Sequence, residues 1–192
     1  MLKRILILTL VMVICLIAPT AGACMLESDM GYTIEANGSD WVTICPENRS
    51  IFDERGMTEA LEIQGMNDAY FANFENREFE MVVDLSGKYG NFNTTLMPEE
   101  SSEGRTIDDY LKESEEIIIP YYKEAGCEVV MEPMKTDING IECVCFGISA
   151  AGREMYQYLC VNECNDRWYN MNFTRMPREL IESMIASIEF TA

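Results

Sequence analysis

Four mostly apolar runs of strand length, separated by three short turns, occupy residues 127–173 and constrain the fold more than any other feature of the sequence. The first turn contains Asn139 and Gly140, a dipeptide favoured in tight hairpins because both central residues of a type I′ turn need a positive φ. The run 141–148 is apolar on both faces, which is typical of a covered strand inside a sheet. The simplest topology is a four-stranded antiparallel meander, with strands at 128–134, 141–148, 154–160 and 167–173.

The rest of the chain predicts a second hairpin and several helices. Alternating residues on both sides of Asn37 and Gly38 indicate an N-terminal hairpin that places Ile34 beside Trp41. The other predicted elements are short helices within 52–76, a strand at 79–85, a long surface loop at 88–105, a helix over 106–126 that Pro120 interrupts, a helix at 178–186 and a strand at 187–190. Together they predict an α+β fold, an antiparallel meander with helices packed on it.

The N-terminus carries an export signal. Lys3 and Arg4 precede an uncharged apolar run at 5–18, and an Ala-Gly-Ala sequence ends at Ala23. A membrane-spanning helix usually needs about 20 apolar residues, so the run favours export followed by cleavage. We therefore predict a signal peptide at 1–23, a short tether at 24–30 and a single domain at 31–192, outside the cytoplasm or on the cell surface.

The residue after the predicted cleavage site is Cys24, which raises the possibility of a lipid anchor. Residues 21–24 match the processing site of bacterial lipoproteins at the small residue and the cysteine, but they lack the usual leucine. Plain secretion, with Cys24 as an ordinary thiol or disulfide partner, is the alternative. Lipidation of Cys24 would leave an even number of cysteines, since Cys15 is removed with the signal from the eight in the chain.

The remaining six cysteines are disulfide candidates, because exported proteins usually oxidise them. If the turn at Ala151 and Gly152 is tight, Cys143 lies opposite Cys160, and a shift by one pleat puts Cys145 there instead. The candidates are Cys45, Cys127, Cys143, Cys145, Cys160 and Cys164. The rival hypothesis is a thiol redox or metal site built from Cys143, Cys145, Cys160 and Cys164, although their spacing differs from that of zinc ribbons.

Charge and composition narrow the function classes. The net charge is −19, and loss of Lys3 and Arg4 from the 14 basic residues, with all 33 acidic residues kept, makes it −21. Such a surface disfavours nucleic acid and anionic lipid as partners. The chain contains no histidine, which excludes Ser-His-Asp and Cys-His catalysis and histidine-based zinc sites. Adjacent acids at 108–109 and 115–116 predict a solvated helix face rather than a catalytic pair. We expect no cofactor and no enzymatic activity.

The order of elements resembles the Mog/PsbP-like α/β/α sandwich, which includes DcrB-like exported bacterial proteins, many of them lipoproteins. The resemblance is carried by the residues at 32–41, by Ile138, Asn139 and Gly140, and by residues 185–190. It implies a fold rather than a reaction, since members of this type serve unrelated roles and no partner-binding motif carries over.

The resulting hypothesis is a non-enzymatic binding or accessory domain outside the cytoplasm. Its partner is an envelope or extracellular protein or a small ligand, and any contact with a membrane is through a lipid anchor at Cys24, with plain secretion as the alternative. The expected binding region is a groove between the sheet and the 106–126 helix, or the 88–105 segment.

Overall fold

The computed structural model describes residues 23–38, 40–45, 48–54, 79–162 and 166–191. The described part of the chain is mostly β-strand, with short helices between and after the strands. In chain order the elements are β1 (Ala23–Ser28), β2 (Tyr32–Asn37), β3 (Trp41–Thr43), α1 (Arg49–Glu54), β4 (Phe79–Asp84), β5 (Asn91–Leu96), α2 (Glu99–Ser102), α3 (Ile107–Glu113), a π-helical turn (Ser114–Ile118), α4 (Ile119–Glu124), β6 (Glu128–Ile138), β7 (Ile141–Ala150), β8 (Arg153–Asn162), β9 (Arg167–Thr174), α5 (Arg178–Ile185) and β10 (Glu189–Phe190).

The predicted meander is confirmed as one side of a larger sheet. Strands β6 to β9 pair antiparallel in sequence order, and β5, β4 and β3 continue the sheet beyond β9. Asn139 and Gly140 both have positive φ, 55° and 86°, as a type I′ turn requires. Cys143 lies directly opposite Cys160, as the numbering around the next turn predicts.

The large sheet is covered on both faces. The π-helical turn and its flanking helices α3 and α4 pack on one face, against Val144, Phe146 and Leu159 among others. The small sheet of β1, β2 and β10 packs on the other face together with α5. Residues Cys143 to Ile148 of β7 are therefore almost all buried, which confirms the expectation of a covered strand. The α+β class is confirmed.

The predicted N-terminal hairpin is wrong. Strand β2 pairs with β1 and β10, whereas β3 pairs with β4 in the large sheet. Gly38 has a φ of 108°, and the chain crosses there from one sheet to the other. The Trp41 indole stacks on Tyr89 and packs against Phe92, and these contacts place β3 beside β4 instead of beside β2.

The predicted tether at 24–30 is also wrong as a description of this segment. Strand β1 pairs with β2 along its whole length, from Ala23 opposite Asn37 to Ser28 opposite Tyr32. Met30, within the same segment, is buried in the main core. The backbone N–H and C=O groups of β1 form hydrogen bonds with β2 instead of with water, so these residues are part of the folded domain.

The segment 88–105 is not the long surface loop that its polar composition indicates. It contains β5, an interior strand between β4 and β9, followed by the short helix α2. Phe92 and Thr94 are fully buried on one face of β5, while Asn91, Asn93 and Thr95 alternate with them and hide the apolar pattern. Tertiary pairing overrides the low β-propensity of Asn here.

The predicted helix at 106–126 forms with the expected start and interruption. Thr106 and Asp109 make a reciprocal capping box at the start of α3. A π-helical turn separates α3 from α4, and Pro120 lies in the first turn of α4, where its missing N–H costs little.

The C-terminal helix agrees with the sequence pattern. The four positions expected to face the core are buried: Leu180, Ile181, Met184 and Ile185. The short helices expected within 52–76 lie outside the described residues, apart from the end of α1.

Candidate functional site

A cleft of about 670 Å³ lies between α2 and the first residues of β9. It coincides with the end of the 88–105 segment, one of the two regions in which a binding site was expected. The residues that line it are Leu96, Met97, Glu99, Ser102, Glu103, Gly104, Arg105, Asp166, Arg167 and Trp168.

The floor of the cleft is apolar and is held by the large sheet. Met97 N donates to the carbonyl oxygen of Trp168 at 2.9 Å, and Leu96 is paired with Tyr169 in the ladder between β5 and β9. Trp168 is only 5% exposed and belongs to the cluster beneath α3. The floor is therefore part of the rigid core, as a preformed binding site requires.

The rim of the cleft carries acids on two separate segments. Glu99 and Glu103 belong to α2 and to the turn that follows it, and Asp166 directly precedes β9; all three are exposed. Gly104 has a φ of 71°, which lets the chain turn back toward α3 directly after Glu103. These carboxylates surround an apolar floor without being buried in it.

Arg105 also lines the cleft, but its charge is already compensated. Its guanidinium pairs with Glu113 of α3 and lies over the Tyr110 ring, 5.8 Å from the centroid. Burial raises the pKa of Tyr110 to about 12, so the ring stays neutral, and its hydroxyl accepts a hydrogen bond of 2.7 Å from Gln157 Nε2. The lining beside Arg105 is consequently closer to neutral than its residue type indicates. The exposed Arg167 adds one positive charge to the lining against the three carboxylates of Glu99, Glu103 and Asp166, so acids remain in excess.

A second group of interest is a cluster of three cysteines in the main core. Cys143, Cys145 and Cys160 lie on the same face of the large sheet and are fully buried. The sulfur atoms of Cys143 and Cys160 are 3.1 Å apart. Burial raises the pKa of Cys145 to about 12, and contact with Cys143, followed by burial, raises that of Cys160. The raised pKa values favour the protonated thiols of Cys145 and Cys160, and all three cysteines are inaccessible in the folded protein.

The other sequence-predicted cysteines are distributed over distant elements. Cys24 lies in β1, Cys45 follows β3, and Cys127 precedes β6, each half-buried. Cys164 lies outside the described residues. No two sulfur atoms among the described cysteines are at bonding distance, and in the described segments no three side chains of the metal-ligating types are arranged so that they could hold a metal ion.

The acidic pairs on the 106–126 helix serve the helix itself. The Asp109 carboxylate accepts hydrogen bonds from the backbone N–H and hydroxyl of Thr106, and these bonds hold the pKa of Asp109 below its ordinary value. Asp108 pairs with Lys135 of β6 at 3.1 Å, and Glu116 lies 4.0 Å from Lys112. Together with Glu115, which is exposed, they form the solvated face that the sequence predicts.

Sequence reasoning missed a polar cluster between the two sheets. The Tyr32 hydroxyl of β2 lies 2.7 Å from Thr94 Oγ1 and donates to Glu80 Oε1 at 3.0 Å. Burial is the main cause that raises the pKa of both Tyr32 and Glu80. One sign of this cluster is visible in the sequence. Glu80 is two residues from Val82 and therefore lies on the same side of the strand, and a valine is typical of a core-facing position.

Comparison with known proteins does not assign a family. No family model matches the sequence, and no curated protein matches it. A crystal structure of a protein from Bacteroides thetaiotaomicron VPI-5482 is similar over 90% of this chain and 49% of its own, with 12% identical residues and a TM-score of 0.49. This chain thus spans about half the length of that protein. Because the identity and the TM-score are both low, this similarity assigns neither a family nor a function, and the resemblance to Mog/PsbP-like domains stays a prediction.

Proposed function

We propose that this chain is an exported, non-enzymatic binding domain that holds a positively charged segment of another extracytoplasmic protein in the cleft between α2 and β9. The observation that supports this is the combination of an apolar floor with an acidic rim. Leu96, Met97 and Trp168 provide the floor, while Glu99 and Glu103 belong to the rim.

The size and chemistry of the cleft favour a lysine or arginine side chain as the occupant. A volume of about 670 Å³ falls within the range of about 300–1,000 Å³ that is typical of small-ligand sites. Lysine and arginine place an apolar stem on apolar surface while the charged head stays near solvent. The net charge of −19 also attracts a cationic partner over long range.

The acids of the rim suit recognition better than proton transfer. Glu99, Glu103 and Asp166 are exposed, so water screens their interactions with groups of the protein. A carboxyl that acts as a general acid usually needs burial or a close like charge to raise its pKa. We therefore assign these groups to the attraction of a partner.

Tryptophan fluorescence gives a direct test of the cleft. The chain contains two tryptophans, so Trp41→Phe leaves Trp168 in the floor as the single reporter. The probe is a short peptide of alternating arginine and leucine, and the comparison peptide has glutamate in place of arginine. We expect only the arginine peptide to change the emission of Trp168, with saturation.

Matched variants locate the binding site. Glu103→Gln should weaken binding of the arginine peptide by up to about fivefold at low salt, because one exposed ion pair contributes about 0.2–1 kcal/mol. Glu115→Gln removes an equally exposed carboxylate from a residue that does not line the cleft and should leave the affinity unchanged. Equal binding of both peptides, or equal loss in both variants, contradicts the proposal.

Export, with or without a lipid anchor, belongs to the same proposal. Strand β1 begins at Ala23, so a chain processed before Cys24 would start within the small sheet, and a lipid on Cys24 would hold the domain close to the membrane. No helix among the described residues is long and apolar enough to cross a membrane. The intact mass of protein from membrane and medium fractions separates lipidated from plainly secreted chains, and a mass that retains residues 1–23 contradicts export with cleavage.

The alternative, a thiol redox or metal-binding function, is less favoured by the geometry. Redox cysteines act as exposed thiolates of low pKa. Cys145 and Cys160 have raised pKa values instead, and both are fully buried. Alkylation of the native protein tests this directly, since rapid labelling of Cys160 without denaturant would support the redox alternative.

A further inference from the structure

We propose that Cys143 and Cys160 form a disulfide bond in the oxidised protein and cross-link β7 to β8 within the core. The proposal assigns one pair among the fifteen pairings that six cysteines allow. It is independent of the cleft, because neither cysteine lines it.

The backbone places the two residues correctly for a disulfide. Cys143 and Cys160 are direct partners in the antiparallel ladder of β7 and β8. Direct partners in such a ladder have Cα atoms about 4.5 or 5.5 Å apart, and both values fall within the range of about 4.4–6.8 Å found in disulfides.

The side chains are also turned toward each other. Both belong to the main core, and their sulfur atoms are 3.1 Å apart. A disulfide has a sulfur–sulfur distance of about 2.05 Å, so an approach of about 1 Å closes the bond. Small side-chain rotations provide a movement of this size without displacing either strand.

Cys145 is the natural competitor, and the register excludes it as the direct partner. It lies on the same strand and face as Cys143 and is equally buried. Its direct partner in β8 is Tyr158. A bond between Cys145 and Cys160 would have to span a diagonal of the sheet, where Cα atoms are about 7–8 Å apart.

The oxidation needs an external disulfide, such as oxidised glutathione. One cysteine thiolate attacks it, forms a mixed disulfide and releases one glutathione thiolate; the second cysteine thiolate then attacks the mixed disulfide and releases the other. The protein loses two protons and two electrons, and glutathione disulfide is reduced to two molecules of glutathione. Since both thiols are buried once the core has formed, the exchange takes place during folding.

The test is peptide mapping after oxidative refolding. The full chain is denatured, reduced and refolded in a glutathione redox buffer, then denatured again in the presence of the alkylating agent so that buried free thiols react, and digested with trypsin and a glutamate-specific protease without reduction. The cleavage sites that isolate the pair are Glu142, Arg153, Glu154 and Glu163. We expect peptide 143–153 to be joined to peptide 155–163 and to separate after reduction.

Peptide 143–153 contains both Cys143 and Cys145, so two further measurements assign the bond. Fragmentation of the joined peptides on either side of Val144 should place the link at Cys143. The matched variant Cys145→Ala should retain the link, while Cys143→Ala should lose it. A link at Cys145, a Cys160 joined to Cys164, or a Cys160 that is fully alkylated in the refolded protein overturns the proposal.

Discussion

Glu80 is a carboxyl group whose ionisation the fold disfavours. It extends toward the space between the two sheets, where the Tyr32 hydroxyl donates a hydrogen bond to it at 3.0 Å. Burial raises its pKa above the ordinary 4.5, and the hydrogen bonds from Tyr32 and Ser28 offset this only in part. A residue of this kind links the association of the two sheets to pH.

The pH dependence of stability should show this penalty. Because the pKa of Glu80 is higher in the folded state, its ionisation costs no stability below pH 4.5 and an increasing amount as the pH rises through and above that value. We expect Glu80→Gln to gain stability relative to the native sequence between pH 4.5 and pH 7, measured by urea unfolding at each pH. Glu115→Gln, at an exposed position, should show no such trend. A constant difference across this range for Glu80→Gln would contradict the assignment.

Asp84 shows the opposite behaviour. Burial alone would raise its pKa, but hydrogen bonds from the Ser86 hydroxyl and from the backbone N–H groups of Tyr89 and Ser86 outweigh burial and hold the pKa below 3.8. Its carboxylate thus organises the turn between β4 and β5.

Replacement of Asp84 should therefore destabilise the protein at neutral pH. We expect Asp84→Asn to cost about 0.5–1.5 kcal/mol at pH 7, since the donors of the exposed Ser86 and the half-buried Tyr89 lose a charged acceptor. The stabilising effect of Asp84 is present above pH 3.8 and is lost as the pH falls through its lowered folded-state pKa. The deficit of the variant should thus shrink in strong acid, and a deficit that grows on acidification would argue against this role.

At the level of elements, the close packing of neighbouring strands depends on two glycines. A Cβ at Gly90 would collide with the backbone carbonyl of Thr174 in β9, while one at Gly147 would lie 2.7 Å from the Tyr156 ring. A carbonyl held in a ladder cannot move aside, whereas an aromatic side chain can rotate. An added methyl group at Gly90 therefore requires a shift of the backbone, whereas one at Gly147 requires only a rotation of the Tyr156 side chain.

This difference predicts the order of two substitutions. Gly147→Ala should destabilise by about 1–3 kcal/mol, the usual cost of overpacking, and Gly90→Ala should cost more, because β5 must shift against β9. Chemical denaturation of both variants gives the ranking. Gly87→Asn is a suitable control, since Gly87 has open space around it and asparagine tolerates its φ of 74°. If Gly147→Ala proves the more costly substitution, the ladder at Gly90 is more adaptable than the structure indicates.

An element could be predicted from the sequence where its neighbours along the chain stabilise it, and could not be predicted where distant strands do. Asn139-Gly140 marked a real turn because the strands on both sides could bury apolar faces by pairing with each other. Asn37-Gly38 is the same dipeptide, but the strands on its two sides belong to different sheets: β2 pairs with β1, and β3 pairs with β4. Strand β5 has no recognisable strand pattern in the sequence because Asn91 and Asn93 flank Phe92, and only pairing on both sides in the sheet makes asparagine acceptable at these positions.

The candidate cleft could be placed only roughly from sequence, for a related reason. The polar composition of segment 88–105 predicts a surface loop, yet the segment contributes to the cleft through a strand and a helix. Trp168 and Asp166 reach the cleft because β9 pairs with β5, and that pairing joins residues more than 70 positions apart in sequence. No local pattern encodes such a pairing.

At the scale of the whole molecule, charge sets the response to salt. The chain has 33 acidic and 14 basic residues, so repulsion among carboxylates destabilises the compact state. Most of the described ion pairs, such as those between Lys112 and Glu116 and between Lys123 and Glu132, are exposed and contribute little each. Screening should therefore remove more repulsion than attraction.

We accordingly expect sodium chloride to affect folding and binding in opposite directions. Raising it from about 10 to 150 mM shortens the Debye length from about 30 to 8 Å, which should raise the melting temperature by about 2–4 °C for each kcal/mol of repulsion that is screened. The same change should weaken the arginine peptide, because its attraction to the acidic rim is screened as well. Sucrose at matched osmolality stabilises by exclusion and controls for effects other than charge. A melting temperature that falls with salt would show that ion pairs outweigh repulsion, and peptide affinity that is indifferent to salt would remove the acidic rim from recognition.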